Sequence, residues 1–317
     1  MANIVKEEYA IEINVNVNIT FVGSKNGTML DYSNVLCKRW LFFYDEKGET
    51  VQFRNIIFNS YFTENTYTPL ITATSYYNNN LYMKFDNCTF QNHNYYIFEF
   101  DVSCTYTKHL DPSFVFTNCN FYNNTEKIVN AINNHDKVVY PTLYECLMIK
   151  WDHCNFINNN SLFYIDHTKL LFNECYFSGM QKDTDEYNPA IFINSDSGYD
   201  FVEIKNSKFE DIHANSLYPL INAKTLILDI ENTIFSNCHT AYGFLFDITN
   251  KFNDQGYIKI RNSTFINNDT IFSGSDCKIN IVDSKFSNII SNSNFPAISY
   301  SKNSIINISN TEFNNLQ

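Results

Sequence analysis

The chain has 317 residues and a formal net charge of −12, from 22 Lys and Arg residues against 34 Asp and Glu residues. The basic residues are scattered along the chain, which argues against nucleic acid or an anionic membrane surface as a partner. No run of 18 apolar residues is present and residues 1–10 lack the apolar core of a signal peptide, so we predict no membrane insertion in this segment.

The first segment, residues 1–50, is predicted to form a first coil and cap region. Within it, residues 10–21 (AIEINVNVNITF) alternate apolar and polar side chains, which predicts one strand with one buried face. No linker-like stretch follows, and residues 51–317 are predicted to form one continuous repeat array in a single domain. Neither end carries a capping helix, so we expect end-to-end association or continuation in a longer chain.

From residue 51 onward, one short pattern occurs ten times: a strand end, Asn or a substitute, a small residue, any residue, Phe and any residue. Successive Phe residues lie 21 to 35 positions apart. A unit of 21 residues is too short for two helices but long enough for three short strands, so the pattern predicts a β-solenoid. The repeated Phe residues, expected to stack through its interior, are Phe58, Phe90, Phe121, Phe156, Phe177, Phe209, Phe235, Phe265, Phe286 and Phe313.

The residue that ends the second strand of each coil is most often Asn. A one-residue corner between two strands requires a left-handed backbone, which Asn tolerates better than other non-glycine residues, and stacked amides hydrogen-bond along a column. Three substitutes, His153, Glu174 and Asp283, are expected to weaken that ladder locally. The asparagines of the predicted ladder are Asn87, Asn118, Asn206, Asn232, Asn262 and Asn310.

An Asn corner followed by a small residue and a stacked aromatic resembles the right-handed parallel β-helix of the pectin-lyase-like superfamily. The Phe-x-Asn element, with Pro-Ala-Ile or Pro-Leu-Ile openings at Pro69, Pro189, Pro219 and Pro296, is also similar in part to the repeats of polymorphic outer-membrane-protein adhesins. The adhesin repeats also use Gly-Gly-Ala-Ile, which this chain lacks. The predicted fold is therefore all-β, a right-handed single-stranded parallel β-helix of ten to eleven coils.

Four cysteines share the small position after the Asn corner, which Ser or Thr fills in later coils. Parallel stacking points their side chains the same way, a poor geometry for disulfides, so we predict free buried thiols. Neither Cys-x-x-Cys spacing nor converging His is present, and we predict no metal and no cofactor. The four are Cys88, Cys119, Cys154 and Cys175. The other five cysteines are interpreted as loop residues, among which disulfide bonds remain an alternative: Cys37, Cys104, Cys146, Cys238 and Cys277.

The resemblance implies where catalysis would be sought, because β-helix enzymes act on polysaccharides through clustered carboxylates. The Asn-Thr-Asp, Asp-Asp, Gly-His-Gly and Arg-Ile-Lys motifs of such hydrolases are absent. Asp101, Asp166 and Asp247 are predicted to occupy similar positions in non-adjacent coils, about 10–15 Å apart and too far to act jointly. We interpret them as turn residues, and no catalytic residue is assigned.

Two His-Asp neighbours and one acidic cluster are the remaining candidates for chemistry. Adjacent strand residues face opposite sides, so we expect Asp152 and His153 not to form a dyad. His167 follows Asp166 in the same way. The acidic cluster, Asp183, Asp185 and Glu186, is interpreted as a solvated loop, with a Ca²⁺ site as the alternative.

The insertions that lengthen the coils fall mostly between the first and second strands. Loops at one corner of successive coils project along one edge, where repeat proteins place their binding surfaces. Tyrosine offers contact area and a hydroxyl at low entropic cost, which suits carbohydrate or protein ligands; the alternative is that these aromatics fold back on the rod. The candidate partner-binding residues are Tyr76, Tyr77, Tyr106, His109, Tyr140, Tyr144, Tyr199 and Phe252.

The sequence favours a non-enzymatic β-helix interaction module whose partner is a carbohydrate or a protein surface. Its expected location is extracellular or at the cell surface, and adhesion is one form that this role could take. The alternative is a carbohydrate-active lyase or hydrolase of the pectin-lyase-like fold. A structural spacer within a larger polypeptide is a third interpretation.

Overall fold

The computed structural model of the protein describes most of the chain. The described residues are 11–32, 41–44, 47–62, 68–75, 80–103, 111–133, 147–181, 190–195, 200–214, 218–250, 256–291 and 295–317. Within these ranges every regular element is a β-strand.

Three parallel sheets contain the strands, and each described coil except the last contributes one strand to each sheet. The first sheet comprises Ile11–Asn14, Leu41–Tyr44, Ile71–Ser75, Phe98–Val102, Val129–Asn133, Phe163–Asp166, Ile193–Ser195, Ile221–Lys224, Phe244–Thr249 and Thr270–Ser275. The second comprises Ile19–Val22, Thr50–Arg54, Tyr82–Asp86, Phe114–Thr117, Met148–Asp152, Lys169–Asn173, Asp200–Lys205, Leu226–Glu231, Tyr257–Arg261, Lys278–Val282 and Ile305–Ser309. The third comprises Thr28–Asp31, Ile56–Asn59, Thr89–Gln91, Asn120–Tyr122, Asn155–Ile157, Tyr176–Ser178, Lys208–Ala214, Ile234–Thr240, Thr264–Ile266, Lys285–Ile289 and Glu312–Leu316.

This architecture confirms the predicted all-β parallel solenoid, because each strand pairs in parallel with its counterpart one coil earlier and one coil later. The right-handed winding stays a prediction, in keeping with the hand of nearly all parallel crossovers. One local prediction is wrong: residues 11–22 form two strands, Ile11–Asn14 and Ile19–Val22, in different sheets. The alternation continues across the corner between them, so periodicity alone does not reveal the break.

The interior is filled by columns of aromatic rings. Phe156 is fully buried and stacks on Phe121 and on Phe177, with ring centroids 4.8 Å apart in both pairs. Identical residues stack because in-register parallel strands repeat about every 4.8 Å along the axis, close to the optimal separation of offset rings. A second column, from the second sheet, meets the first edge to face; its members are Phe53, Phe85, Phe116, Trp151 and Phe172.

The corners between sheets are built from single residues with a left-handed backbone. The six asparagines of the predicted ladder all have φ between +46° and +53°. Their amides bond along the axis, as where Asn262 donates to Asn232 (2.7 Å) and Asn232 donates to Asn206 (3.1 Å). The Asn two positions after the repeated Phe forms an equivalent corner, with φ between +49° and +58°, at Asn92, Asn123, Asn158, Asn237, Asn267, Asn288 and Asn315.

Two adjacent substitutes in the ladder, His153 and Glu174, contact each other. His153 Nε2 lies 2.7 Å from Glu174 Oε2, and both side chains are half exposed. The amide ladder detours by one position at this level: Asn206 donates to Asn173 (2.9 Å), and Asn173 donates to Asp152 (2.8 Å). At this level the hydrogen bonds therefore pass through Asn173 to Asp152 in place of the ladder position itself.

A second, buried set of asparagines lies inside the corner between the third and first sheets. Asn159 donates from Nδ2 to the carbonyl of Phe121 (3.0 Å), and its Oδ1 accepts from the backbone N–H and the side-chain amide of Asn124 (3.1 and 2.8 Å). Asn124 repeats the arrangement toward the carbonyl of Phe90 and the N–H of His93. These amides satisfy backbone groups that the turn leaves without sheet partners.

The described cysteines are all buried and free. The column formed by Cys88, Cys119, Cys154 and Cys175 lies against the interior, and burial raises the pKa of the last three thiols well above its ordinary value. Assigning Cys238 and Cys277 to loops was wrong, because both are at most 1% exposed and Cys238 lies within the strand Ile234–Thr240. Cys37, Cys104 and Cys146 lie outside the described residues.

Candidate functional site

The insertions that the sequence singles out leave the rod along one edge. The strands that precede them are Ile71–Ser75, Phe98–Val102, Val129–Asn133, Ile193–Ser195 and Phe244–Thr249, all in the first sheet. Since parallel strands end at the same side of their sheet, the insertions start from a common edge. The predicted partner-binding residues themselves, Tyr76, Tyr77, Tyr106, His109, Tyr140, Tyr144, Tyr199 and Phe252, lie outside the described residues.

The outer face of the first sheet next to this edge carries a continuous polar row, which we call the outer stripe. Its members follow one another in strand register: Thr72, Glu99, Asn130, Tyr164, Asn194, Asn222, Asp247 and Ser273. None of these eight positions is Lys or Arg. The corresponding outward row of the second sheet contains Lys84, Lys150 and Lys259, so the two faces differ in chemistry.

Two tyrosines and a lysine meet over this face. Lys127 Nζ lies 4.6 Å from the ring centroid of Tyr96 and 4.9 Å from that of Tyr164. An ammonium over two aromatic faces is attracted by both ring quadrupoles and fixes the rings in place.

Several groups of the outer stripe are withdrawn from water. Asn194 is 2% exposed; its Oδ1 accepts from Asn222 (3.3 Å), whereas its Nδ2 has no hydrogen-bond partner within the described ranges. Burial raises the pKa of Glu99, and the charge of Asp101 adds to that rise, although the hydrogen bond from Asn130 opposes it. An unpaired buried donor is costly, and a hydroxyl or carbonyl oxygen of a ligand would satisfy it.

A cluster of titratable groups lies at the corner after the strand Phe163–Asp166. His167 Nδ1 contacts Asp166 Oδ1, and the hydrogen bond and charge of Asp166 outweigh the effect of burial, so the pKa of His167 lies above its ordinary value. Asp152 and His153 also contact each other, Oδ1 to Nδ1 at 3.3 Å. The expectation that such neighbours face apart is wrong, because both His residues have a left-handed backbone that breaks strand alternation.

Asp200 joins this cluster from the next coil and is completely buried. Its Oδ1 accepts from the backbone N–H of Thr168 (2.7 Å), and its Oδ2 accepts from the hydroxyl of Ser195. Burial raises the pKa of Asp200 to about 6, although these two hydrogen bonds lower it. The sequence alone does not indicate that Asp200 lies near Asp166, because the two residues are 34 positions apart and only the stacking of coils brings Asp200 to this corner.

We expect Asp200→Asn to change how stability depends on pH. The folded pKa, near 6, lies above the ordinary Asp value near 4, so the folded protein binds more protons between these pH values and loses stability as pH rises through them. Two pH units correspond to about 3 kcal/mol. Urea unfolding of both proteins from pH 4 to pH 7 should therefore show the variant gaining about 3 kcal/mol relative to wild type; a difference that does not vary with pH would contradict this.

The three carboxylates predicted to share a position do not all do so. Asp101 and Asp166 occupy one column two coils apart, with Ile132 between them, whereas Asp247 lies in the neighbouring column of the outer stripe. Asp247 accepts a hydrogen bond from the hydroxyl of Tyr242 (2.8 Å). The acidic cluster Asp183, Asp185 and Glu186 lies outside the described residues.

Within the described residues, no helix is long and apolar enough to cross a membrane. In the same ranges, no group of three or more His, Cys, Asp or Glu side chains is arranged to hold a metal ion.

Comparison with known proteins shows similarity in fold only. No protein-family model and no curated protein matches the chain. The similar solved structures include PfbA, a surface adhesin of Streptococcus pneumoniae, at 12% identity over 96% of this chain and 70% of that chain, with a TM-score of 0.34. They also include the tailspike receptor-binding domain of Siphovirus 9NA, at 9% identity over 97% and 74% of the two chains, with a TM-score of 0.26. Likenesses this distant carry no argument about function.

Proposed function

We propose that this chain is a non-enzymatic β-solenoid binding module that engages an extended carbohydrate chain along the outer stripe. The observation that carries the proposal is the row of amide, hydroxyl, carboxylate and tyrosine side chains over eight successive strands, about 34 Å long at the parallel-strand spacing. Directed polar groups beside aromatic faces are what carbohydrate recognition requires.

The shape of the stripe favours a linear polymer over a folded protein. A stable protein interface requires a broad patch with an apolar, well-packed centre. The stripe is one polar residue wide, and the Asn194 amide, which has no hydrogen-bond partner among the described residues, would be satisfied by a ligand rich in oxygen acceptors. Long polysaccharides are met outside the cell or at its surface, and this location, with an adhesive role, is part of the proposal.

A direct test is a glycan and polysaccharide screen that measures both binding and the release of product. We expect Tyr164→Ala to weaken binding at least tenfold, because an aromatic anchor at the centre of a binding site contributes about 2 kcal/mol or more. Tyr257→Ala is the matched control: Lys259 Nζ lies 4.6 Å from that ring, but on the outer face of the second sheet. Equal affinities of the two folded variants would refute the role of the stripe.

The second candidate function is a carbohydrate-active enzyme, to which the sequence resemblance to the pectin-lyase-like superfamily points. The cluster of Asp166, His167 and Asp200 favours it, since a carboxyl group with a pKa near 6 beside a second carboxylate suits general acid catalysis. Against it, Asp200 is fully buried and both its oxygens are engaged by Thr168 and Ser195. Release of product by wild type, abolished in Asp166→Asn, would establish the enzyme and replace our proposal.

A further inference from the structure

Two histidines far apart in the sequence become neighbours on the third sheet. His213 and His239 lie in the strands Lys208–Ala214 and Ile234–Thr240 and pair directly in parallel register. Their imidazole rings stack at 17° with centroids 5.4 Å apart. His213 is exposed, and the side chain of His239 is 35% exposed, so both rings are open to solvent.

Asp269, from the following coil, orients the ring of His239. Its Oδ1 lies 3.0 Å from His239 Nδ1, and its Oδ2 accepts from the backbone N–H of Thr240 (2.6 Å). The Asp269 side chain is 1% exposed, so its position is fixed by the corner. A carboxylate accepts hydrogen bonds only, so this contact favours the tautomer in which Nδ1 of His239 carries the proton and Nε2 has the lone pair that a metal ion would bind.

We propose that His213 and His239 form a surface chelate for a late divalent transition-metal ion, with water completing its coordination. Neutral imidazole suits Ni²⁺, Cu²⁺ and Zn²⁺, whereas Mg²⁺ and Ca²⁺ require oxygen ligands. Metal–nitrogen bonds of about 2 Å require the two nitrogens within about 3–4 Å of each other, and rotation of the exposed His213 ring supplies that approach. Asp269 acts as a positioning residue, in the carboxylate–histidine–metal arrangement common in metalloproteins.

The proposal departs from the sequence expectation of no metal for a specific reason. The two histidines lie 26 positions apart in the sequence, a spacing that matches no local metal-binding motif. Their pairing depends on the length of one complete coil, and the orienting carboxylate comes from a further coil. Stacking of coils therefore assembles a site that no short stretch of the sequence contains.

Calorimetric titration of the tag-free protein with NiCl₂ tests this site independently of any carbohydrate. We expect one equivalent of Ni²⁺ to bind, and His213→Asn and His239→Asn each to weaken that binding at least tenfold. Asp269→Asn should weaken it roughly 10- to 100-fold. His153→Asn is the matched control, since His153 also contacts carboxylates but has no imidazole neighbour in register, and it should leave binding unchanged.

Two further readouts keep the test decisive. His213 is exposed, so His213→Asn should keep the wild-type unfolding midpoint, and loss of binding in that variant reports the site and not the fold. Electron paramagnetic resonance of one equivalent of Cu²⁺ should show coupling to two imidazole nitrogens in wild type and to one in either single variant. Undiminished Ni²⁺ binding by the folded His213→Asn, His239→Asn double variant, or binding lost instead in His153→Asn, would overturn the proposal.

Discussion

Phe156→Ala is expected to lower the free energy of unfolding by about 3 to 5 kcal/mol. The ring is fully buried between Phe121 and Phe177 and meets Trp151 and Phe163 edge to face, at 5.5 and 5.8 Å between centroids. Its removal leaves a cavity lined by rings from three coils that cannot all move inward, because the strands above and below fix the axial spacing. Urea unfolding of the variant and wild type measures the loss.

The same substitution at Phe313 provides the matched control. Phe313 belongs to the same column but stacks on Phe286 at the last described coil, with centroids 5.4 Å apart, and is only partly buried. The Phe313 ring removes less apolar area from water than the Phe156 ring does. We therefore expect Phe313→Ala to lower the free energy of unfolding by only about 1 to 2 kcal/mol. Equal losses at the two positions would contradict a core held together by stacking between neighbouring coils.

The fold follows from the sequence because the solenoid uses the same side chain for the same task in every coil. Phe121, Phe156 and Phe177 recur at one position, and identical rings stack well on in-register strands. Corner positions are predictable for the same reason, since few residues adopt the left-handed backbone. The contacts of His153 with Asp152 and of His167 with Asp166 were not predicted. They arise because the left-handed backbone of each His brings together neighbours that a strand would separate.

The candidate site could not be predicted in the same way, because the outward residues differ from coil to coil. Glu99, Asn130 and Tyr164 have no residue type in common, and only the register places them side by side. Their burial depends on what packs above the sheet, which periodicity does not report. The pairing of His213 with His239 has a similar origin, since the length of the intervening coil sets it.

Asn159→Ala is expected to lower the free energy of unfolding by about 4 kcal/mol. The substitution removes the hydrogen bonds that Asn159 makes to three buried groups: the carbonyl of Phe121, the backbone N–H of Asn124 and one N–H of the Asn124 side-chain amide. Each buried group left unsatisfied costs about 1 to 3 kcal/mol, and the small space left by the amide adds to the loss when water does not fill it. Chemical denaturation at neutral pH measures the difference from wild type.

The neighbouring Asn158 separates this buried role from the role of the corner itself. Asn158 has φ of +55°, and its exposed amide donates to Asn123 at 3.3 Å. Asn158→Ala puts alanine in a left-handed backbone and removes a solvent-exposed hydrogen bond, for about 1 to 2 kcal/mol. If the buried amides contribute most of the stability of this turn, Asn159→Ala must lower the free energy of unfolding at least twice as much as Asn158→Ala. The reverse order would mean that backbone conformation, and not the satisfaction of buried polar groups, determines the stability of these corners.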